Sequence, residues 1–529
     1  MRCNCFGYFA NNAAHSQRQL SKLPFTFTNI DIHLSMGLMN SSTTVHHPIQ
    51  ATGLTKKPDD SLSTQANRCL IRGGFLYTAD PTNKVISNSW VLIEGDKIRA
   101  VSDGHMPEPD SDTVINANGK MLLPGFINPH WHESFVAPIE ECPDDSHLIP
   151  TPFSRGGNIE ALGTLFGFIS TVGNQLTQEE GLAIARWSLW TQLRSGTTTL
   201  GDTGSANRTD AMAMAAIELG MRMRVSRWGS DIVIKNGRKD FQYTTDTQAQ
   251  INDWEALMST WNNHPSGLIG GMPSVLTAFS SSDKQLIAMG DIASRYQAPY
   301  ATHLAPLKNE ADILKGVFGN SAIGRFDALG LLTPQLLAIH TAYATEHEFN
   351  RLIETGVHIC HSPAHYGMLG EATVSETGLI GRFIKEGVPV SSSSDGDTTY
   401  IGGMPEAMRA AHLGHNEAHN DNTTCPPTTA LLTGTRYGAM ALGWADRLGS
   451  IEVGKQADLV LVDIDDWRYQ KGNHPLRTFL VAGSSKDVAT VIVAGQVVVK
   501  DGQCVNLNEQ TMLQDYHKAI KSAQARIKK

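Results

Sequence analysis

From Met121 onward the chain alternates short, nearly continuous apolar runs with longer amphipathic ones. Eight apolar runs begin near Met121, Gly196, Arg222, Leu268, Ala298, Leu336, His358 and Val388, each closing on polar or small residues. Between them lie stretches of helical spacing, among them Glu179–Arg194, Arg208–Gly220, Asp283–Tyr296, Glu346–Thr355 and Met404–Glu417. Strands buried on both faces read as continuous apolar runs rather than as alternation. Eight β/α steps over roughly 300 residues predict an α/β chain built on a (β/α)8 barrel.

Both ends are written in a different pattern. Arg68–Gly74, Ser89–Ile93 and Lys97–Val101, with Gly95-Asp96 as a turn, read as short strands. So do Ala457–Asp463, Val488–Gly495 and Gln496–Gly502. Two β-rich ends flanking one long middle predict a small composite β-sandwich made from both. The expected organisation is a leader over 1–66 and β segments at 67–122 and 447–505. The barrel takes 123–446 and a C-terminal helix 506–529.

Composition narrows the function classes. With 41% apolar and 18% charged residues, the 529-residue chain is ordinary for a globular protein. A formal charge of −9 supplies no basic field for nucleic acid or an anionic membrane. No apolar stretch approaches the roughly 18 residues that span a bilayer. Seven scattered cysteines point to reduced thiols and a cytoplasmic setting. The leader lacks the apolar core of a secretory signal and reads first as a disordered extension or as sequence upstream of a start at Met36 or Met39, while its acid-poor, Ser-rich composition is also compatible with a transit peptide. Cys3, Cys5, His46 and His47 within it lack zinc-site spacing.

The twenty histidines are not spread evenly with respect to the predicted strands. The first strand closes on His130-Trp131-His132, the fifth on His303, the sixth on His340, the seventh on His361, and the eighth on Asp395. Active sites of α/β barrels lie at those C-terminal strand ends. Residues two apart on a strand face one way, so His130 and His132 both point into the mouth. Imidazoles and one carboxylate on rigid strands form a catalytic zinc or ferrous site with an open position.

These residues carry a resemblance to the amidohydrolase superfamily, in particular its mononuclear branch of triazine hydrolases, cytosine deaminase and S-adenosylhomocysteine deaminase. Leu123-Pro124-Gly125-Phe126-Ile127 before His130, Arg194-Ser195-Gly196-Thr197-Thr198-Thr199, and the exit segment Arg447–Asp463 resemble that family's motifs. The resemblance spans roughly 68–505 and implies His130, His132, His303 and Asp395 as ligands of one divalent metal, zinc before iron or manganese. It further implies His340 and Asp395 as catalytic groups and a small-molecule substrate, and admits a homo-oligomer. The fourth run, Leu268–Phe279, holds no lysine to bridge a second metal.

Departures bear on the substrate. Ring deaminases of this branch carry a glutamate three residues after the fifth-strand histidine, where this chain has Pro306. Proline has no side-chain proton and no N–H, and Glu310 reaches back only if the loop folds over. Tyr343, His361 and His365, with Tyr366 beside the last, are the candidate substrate-binding groups. Two chemistries therefore stand: hydrolysis of a ring C–N bond, or of an amide or lactam needing only Asp395 as proton carrier. A barrel that has lost catalysis and serves binding or assembly is the alternative from another class. Glu133 reads as a support for the ligands, Asp283 as a helix N-cap, and Trp187 and Trp190 as core. His412, His415 and His419 form one packed or solvated helix face, and Ser134–Gln178 a lid.

Overall fold

The computed structural model describes residues 67–102, 105, 107–133, 159, 173–205, 207–235, 237–369, 373–396 and 403–527. The expected leader and nearly all of the expected lid lie outside them.

Eight parallel strands form the barrel: β1 Phe126–His132, β2 Thr197–Asp202, β3 Arg222–Val225, and β4 in two pieces, Ile269–Gly271 and Ser274–Thr277. They continue with β5 Tyr300–Leu304, β6 Leu336–His340, β7 His358–His361, and β8, again in two pieces, Val390–Ser392 and Asp395–Gly396. The first half of β4 pairs with β3 and the second with β5, so the break at Met272-Pro273 carries the strand across the seam. The second half of β8 pairs with β1, Asp395 opposite Trp131, and closes the ring. All the residues of β1, β2, β5 and β6 are buried, as expected for strands between a packed lumen and an outer layer of helices.

Helix ends follow local chemistry. Gln178–Arg194 begins with a capping box in which Thr177 and Glu180 satisfy each other's backbone N–H groups. Glu346–Thr355 uses Thr345 and Glu348 in the same way and stops at left-handed Gly356. For Asp283–Arg295 the cap is Ser282, one residue earlier than expected, whose hydroxyl accepts from the Gln285 N–H. Asp283 instead occupies the first helical turn and binds Arg325, where a carboxylate also suits the helix dipole.

The run expected as one strand from Met121 to His132 is two. Lys120–Pro124 belongs to a seven-stranded sheet, and Phe126–His132 opens the barrel. Gly125 makes the changeover: its N–H donates to Asp458 O, and a Cβ there would stand 2.2 Å from Thr198 Oγ1. The seven-stranded sheet draws Phe75–Tyr77, Val85–Ser87 and Lys120–Pro124 from one end and Leu459–Asp463, Val488–Val493, Gln496–Lys500 and Gln503–Cys504 from the other. Arg68–Arg72, Trp90–Glu94, Lys97–Val101 and Thr113–Asn116 form a four-stranded sheet. Ile71, Val91 and Ile98 of the smaller sheet share a core with Leu76, Leu122, Leu461 and Ile492 of the larger, which makes the pair a sandwich. Glu509–Ile527 is helical and packs on Gln178–Arg194 through Ala519, Ile520 and Ala523. No described helix is long and apolar enough to cross a membrane.

Candidate metal centre

Three imidazole nitrogens converge where β1 and β5 end. His130 Nε2 lies 3.0 Å from His132 Nε2 and 3.3 Å from His303 Nε2, and His132 and His303 are 3.0 Å apart. All three side chains are buried. His132 Nδ1 donates to Gly204 O at 2.6 Å and His303 Nδ1 donates to Leu276 O. Carbonyls only accept, so both rings carry their proton on Nδ1 and a lone pair on Nε2. Burial, together with the neighbouring histidines, holds the pKa of His130 and His132 well below the ordinary value, and burial does the same more mildly at His303.

Lone pairs facing one another at this distance in a buried site repel unless a cation lies among them. Nitrogens sharing one zinc at about 2.0–2.1 Å in tetrahedral geometry stand about 3.3–3.4 Å apart, close to the spacing here. The residues present fit a divalent metal.

Asp395 and His340 complete the cluster. Asp395 Oδ1 is 3.9 Å from His130 Nε2 and 3.7 Å from His365 Nε2, and Oδ2 is 3.6 Å from His340 Nε2. Burial works against ionisation of Asp395, but His365, His132, His303 and the Gly396 N–H together hold its pKa below the ordinary carboxylate value. His340 is desolvated and surrounded by other imidazoles, which keep it neutral. Its ring stacks on His303 at 5.1 Å and meets Tyr366 edge-on at 4.8 Å.

Backbone strain concentrates here. His340, Thr341 and Asp395 have φ of 73°, 47° and 63°, and Ala305 after β5 has 49°. Such angles cost a non-glycine residue on the order of 1 kcal/mol or more and persist where surrounding packing enforces them. Gly204, with φ of 120°, is required in its place: a Cβ would stand 2.7 Å from the Trp228 backbone nitrogen. The turn that offers its carbonyl to His132 is held by Asp202 Oδ1, which accepts from the Gly204 N–H and the Ser205 hydroxyl.

The other expected residues fall outside the converging atoms. His361 is buried, without a hydrogen-bond partner on either ring nitrogen, and packs against His415 at 5.7 Å and Tyr366 at 5.9 Å. The Tyr343 hydroxyl donates to Glu376 at 3.3 Å, and Glu376 also pairs with Lys308 of the β5 loop. Glu133 is buried with its backbone N–H on Ser205 Oγ. His412 bonds Cys425 O and His419 bonds Gly378 O, so this helix face is packed. Trp190 is core, and Trp187 packs partly buried against Tyr516. Sequence reasoning missed Ser362, Ser393, Gly204, Leu276 and Glu376. For Ser393 the only available signal was the run of four serines before Asp395.

Pro306 is buried. Burial pushes the Glu310 carboxyl up to about 8, and a hydrogen bond with the Leu307 backbone works in the opposite direction. A raised carboxyl pKa makes the folded state hold a proton that the unfolded chain has released between about pH 4.5 and 8. Stability therefore falls as pH rises through that window, by up to about 1.4 kcal/mol per pH unit. Glu310→Gln is expected to be near neutral at pH 5 and to stabilise by about 1–3 kcal/mol at pH 8. Denaturant unfolding at both pH values checks this, and equal effects would contradict it.

Comparison with known proteins agrees with the barrel. The sequence profile of the Amidohydrolase family matches residues 121–498. A 5-methylthioadenosine/S-adenosylhomocysteine deaminase of Bacillus cereus (strain 03BB102) is 27% identical over 442 residues, covering 83% of this chain and 95% of that protein. The crystal structure of an adenosine deaminase from Xanthomonas campestris with bound zinc has a TM-score of 0.74 at 22% identity, covering 87% of this chain and 99% of that one. The atrazine chlorohydrolase of Arthrobacter aurescens TC1 complexed with zinc gives 0.73 at 20% identity, covering 85% and 100%. The family profile covers well over half of the chain, in the region that holds the converging histidines: the chain belongs to the amidohydrolase family.

Proposed function

We propose that this protein is a metal-dependent hydrolase that cleaves a non-peptide carbon–nitrogen bond of a small, heterocyclic substrate. The observation that carries the reading is the convergence of three Nε2 lone pairs beside Asp395 and His340. The relatives named deaminases, and the zinc bound in similar structures, support the same reaction class and metal. His130, His132, His303 and Asp395 would hold one divalent ion, zinc first, which when bound would lower the pKa of water from about 15.7 towards 7 and so supply a nucleophile at neutral pH. Asp395, ionised and within reach of the centre, accepts the proton of the attacking water and delivers it to the leaving group. His340 donates a hydrogen bond to the oxygen of the tetrahedral adduct on the substrate carbon. His365, Tyr366 and Tyr343 orient the substrate. The cysteine usage fits a cytoplasmic enzyme.

One observation favours a second reading. Pro306 leaves no carboxyl where ring deaminases of the family carry their glutamate, and Glu310 is buried a turn further on. Hydrolysis of a cyclic amide, with Asp395 as sole proton carrier, meets that constraint. The test is the metal-loaded protein offered two panels: aminopurines, aminopyrimidines and aminotriazines read by ammonia release, and lactams or cyclic amides read by ring-opened acid. Turnover in the first panel is expected from the main reading, and turnover confined to the second establishes the alternative. A fully loaded protein that turns over neither overturns both substrate readings.

A further inference from the structure

His130 is held differently from the other two converging histidines. His132 and His303 lean on backbone carbonyls, whereas His130 Nδ1 lies 3.3 Å from Ser362 Oγ and 3.2 Å from Ser393 Oγ. The two hydroxyls are 2.8 Å apart, and Cys360 Sγ is 3.2 Å from Ser393 Oγ. All four side chains are buried. Ser362 follows β7, Ser393 lies between the halves of β8, and the Ser393 N–H donates to His361 O. The pair thus reaches His130 across the β7/β8 seam.

We infer that Ser362 and Ser393 are positioning residues that jointly set the ring orientation of His130, resting on the metal reading above. A hydroxyl accepts and donates at once. With the Nε2 lone pair taken by the metal, the His130 proton sits on Nδ1 and is accepted by one serine, whose own O–H passes to the other, and the Cys360 thiol supplies a further donor to Ser393. This arrangement holds the ring so that Nε2 faces His132 and His303. Each serine substitutes for the other, so loss of one leaves an acceptor in place. Loss of both leaves a buried N–H with none, and the ring gains by turning or by moving its proton to Nε2.

The test measures zinc affinity by chelator competition and the visible absorption of the cobalt(II)-loaded protein. It uses the parent, Ser362→Ala, Ser393→Ala, the double variant, and Ser362→Ala with Ser393→Thr. The single variants are expected to bind zinc within about threefold of the parent and the double variant about 10–100-fold more weakly. The threonine combination is expected to bind like Ser362→Ala alone. Cobalt bands are expected to shift in every alanine variant, the singles included, which keeps the test decisive should the double variant not fold. A double variant within twofold of the parent, or unchanged cobalt spectra in both singles, overturns the inference. A parent chain that binds neither zinc nor cobalt overturns the metal reading itself, a distinguishable result.

Discussion

His130→Ala is expected to lose the metal and the activity together. His130 Nε2 belongs to both groups of close ligand atoms, one with His132 and His303 and the other with His340 and Asp395. Two neutral imidazoles then face each other without the third corner. Metal content is expected to fall from about one equivalent to below about a tenth. kcat/KM is expected to fall by at least about a thousandfold, because water at neutral pH is poorly ionised without a Lewis acid. Elemental analysis of the purified variant and its turnover on the substrate found in the two-panel assay check both halves. A variant that retained metal and rate would remove His130 from the centre. The fold should survive, since the barrel core is also carried by buried residues such as Leu337, Leu442 and Trp444.

Asp395→Asn is expected to separate holding from proton transfer. Asparagine keeps the shape and one carbonyl oxygen to accept the Gly396 N–H, a bond of 2.7 Å to Oδ1 in the parent. It has no basic oxygen. kcat is expected to drop by about 10²–10⁴, with at least half of the metal retained and a thermal midpoint close to the parent's. Retention of kcat within tenfold would show that another group accepts the proton. Asp395→Ala, by contrast, should lose metal as well, so the pair of variants distinguishes the two duties of one carboxylate.

Much of the fold was legible because barrel strands have a strong signal. Each apolar run is short, continuous and closed by polar residues, and β5, β6 and β7 lie where those runs predict. The split of Met121–His132 was not legible. Both halves are buried in the same way, and the pairing of Lys120–Pro124 with Phe75–Tyr77 and Leu459–Asp463 distinguishes them. The pairing of the two chain ends is likewise a contact between residues more than 300 apart. The Asp283 cap failed for a local reason: Ser282 competes for the same role, and its hydroxyl wins.

For the centre, the sequence alone determined which residue types stand at the strand ends and in which order. His-x-His on one strand and single histidines on two others are sufficient for that, because a period of two is a local property of a strand. Only the tertiary structure decided how His340 and Asp395 reach the same point. On β6, Leu336 and Ala338 pack into the outer core, while Leu337 and Ile339 face the lumen with Ala301 and Cys360. Regular alternation would send His340 outward with Ala338. The left-handed turn at His340 and Thr341 breaks the alternation, and Asp395, in the second half of β8, is left-handed as well. A non-glycine residue adopts such angles only when the surrounding packing overrides its own preference. That packing, like the serine pair behind His130, is assembled from strands distant in the chain.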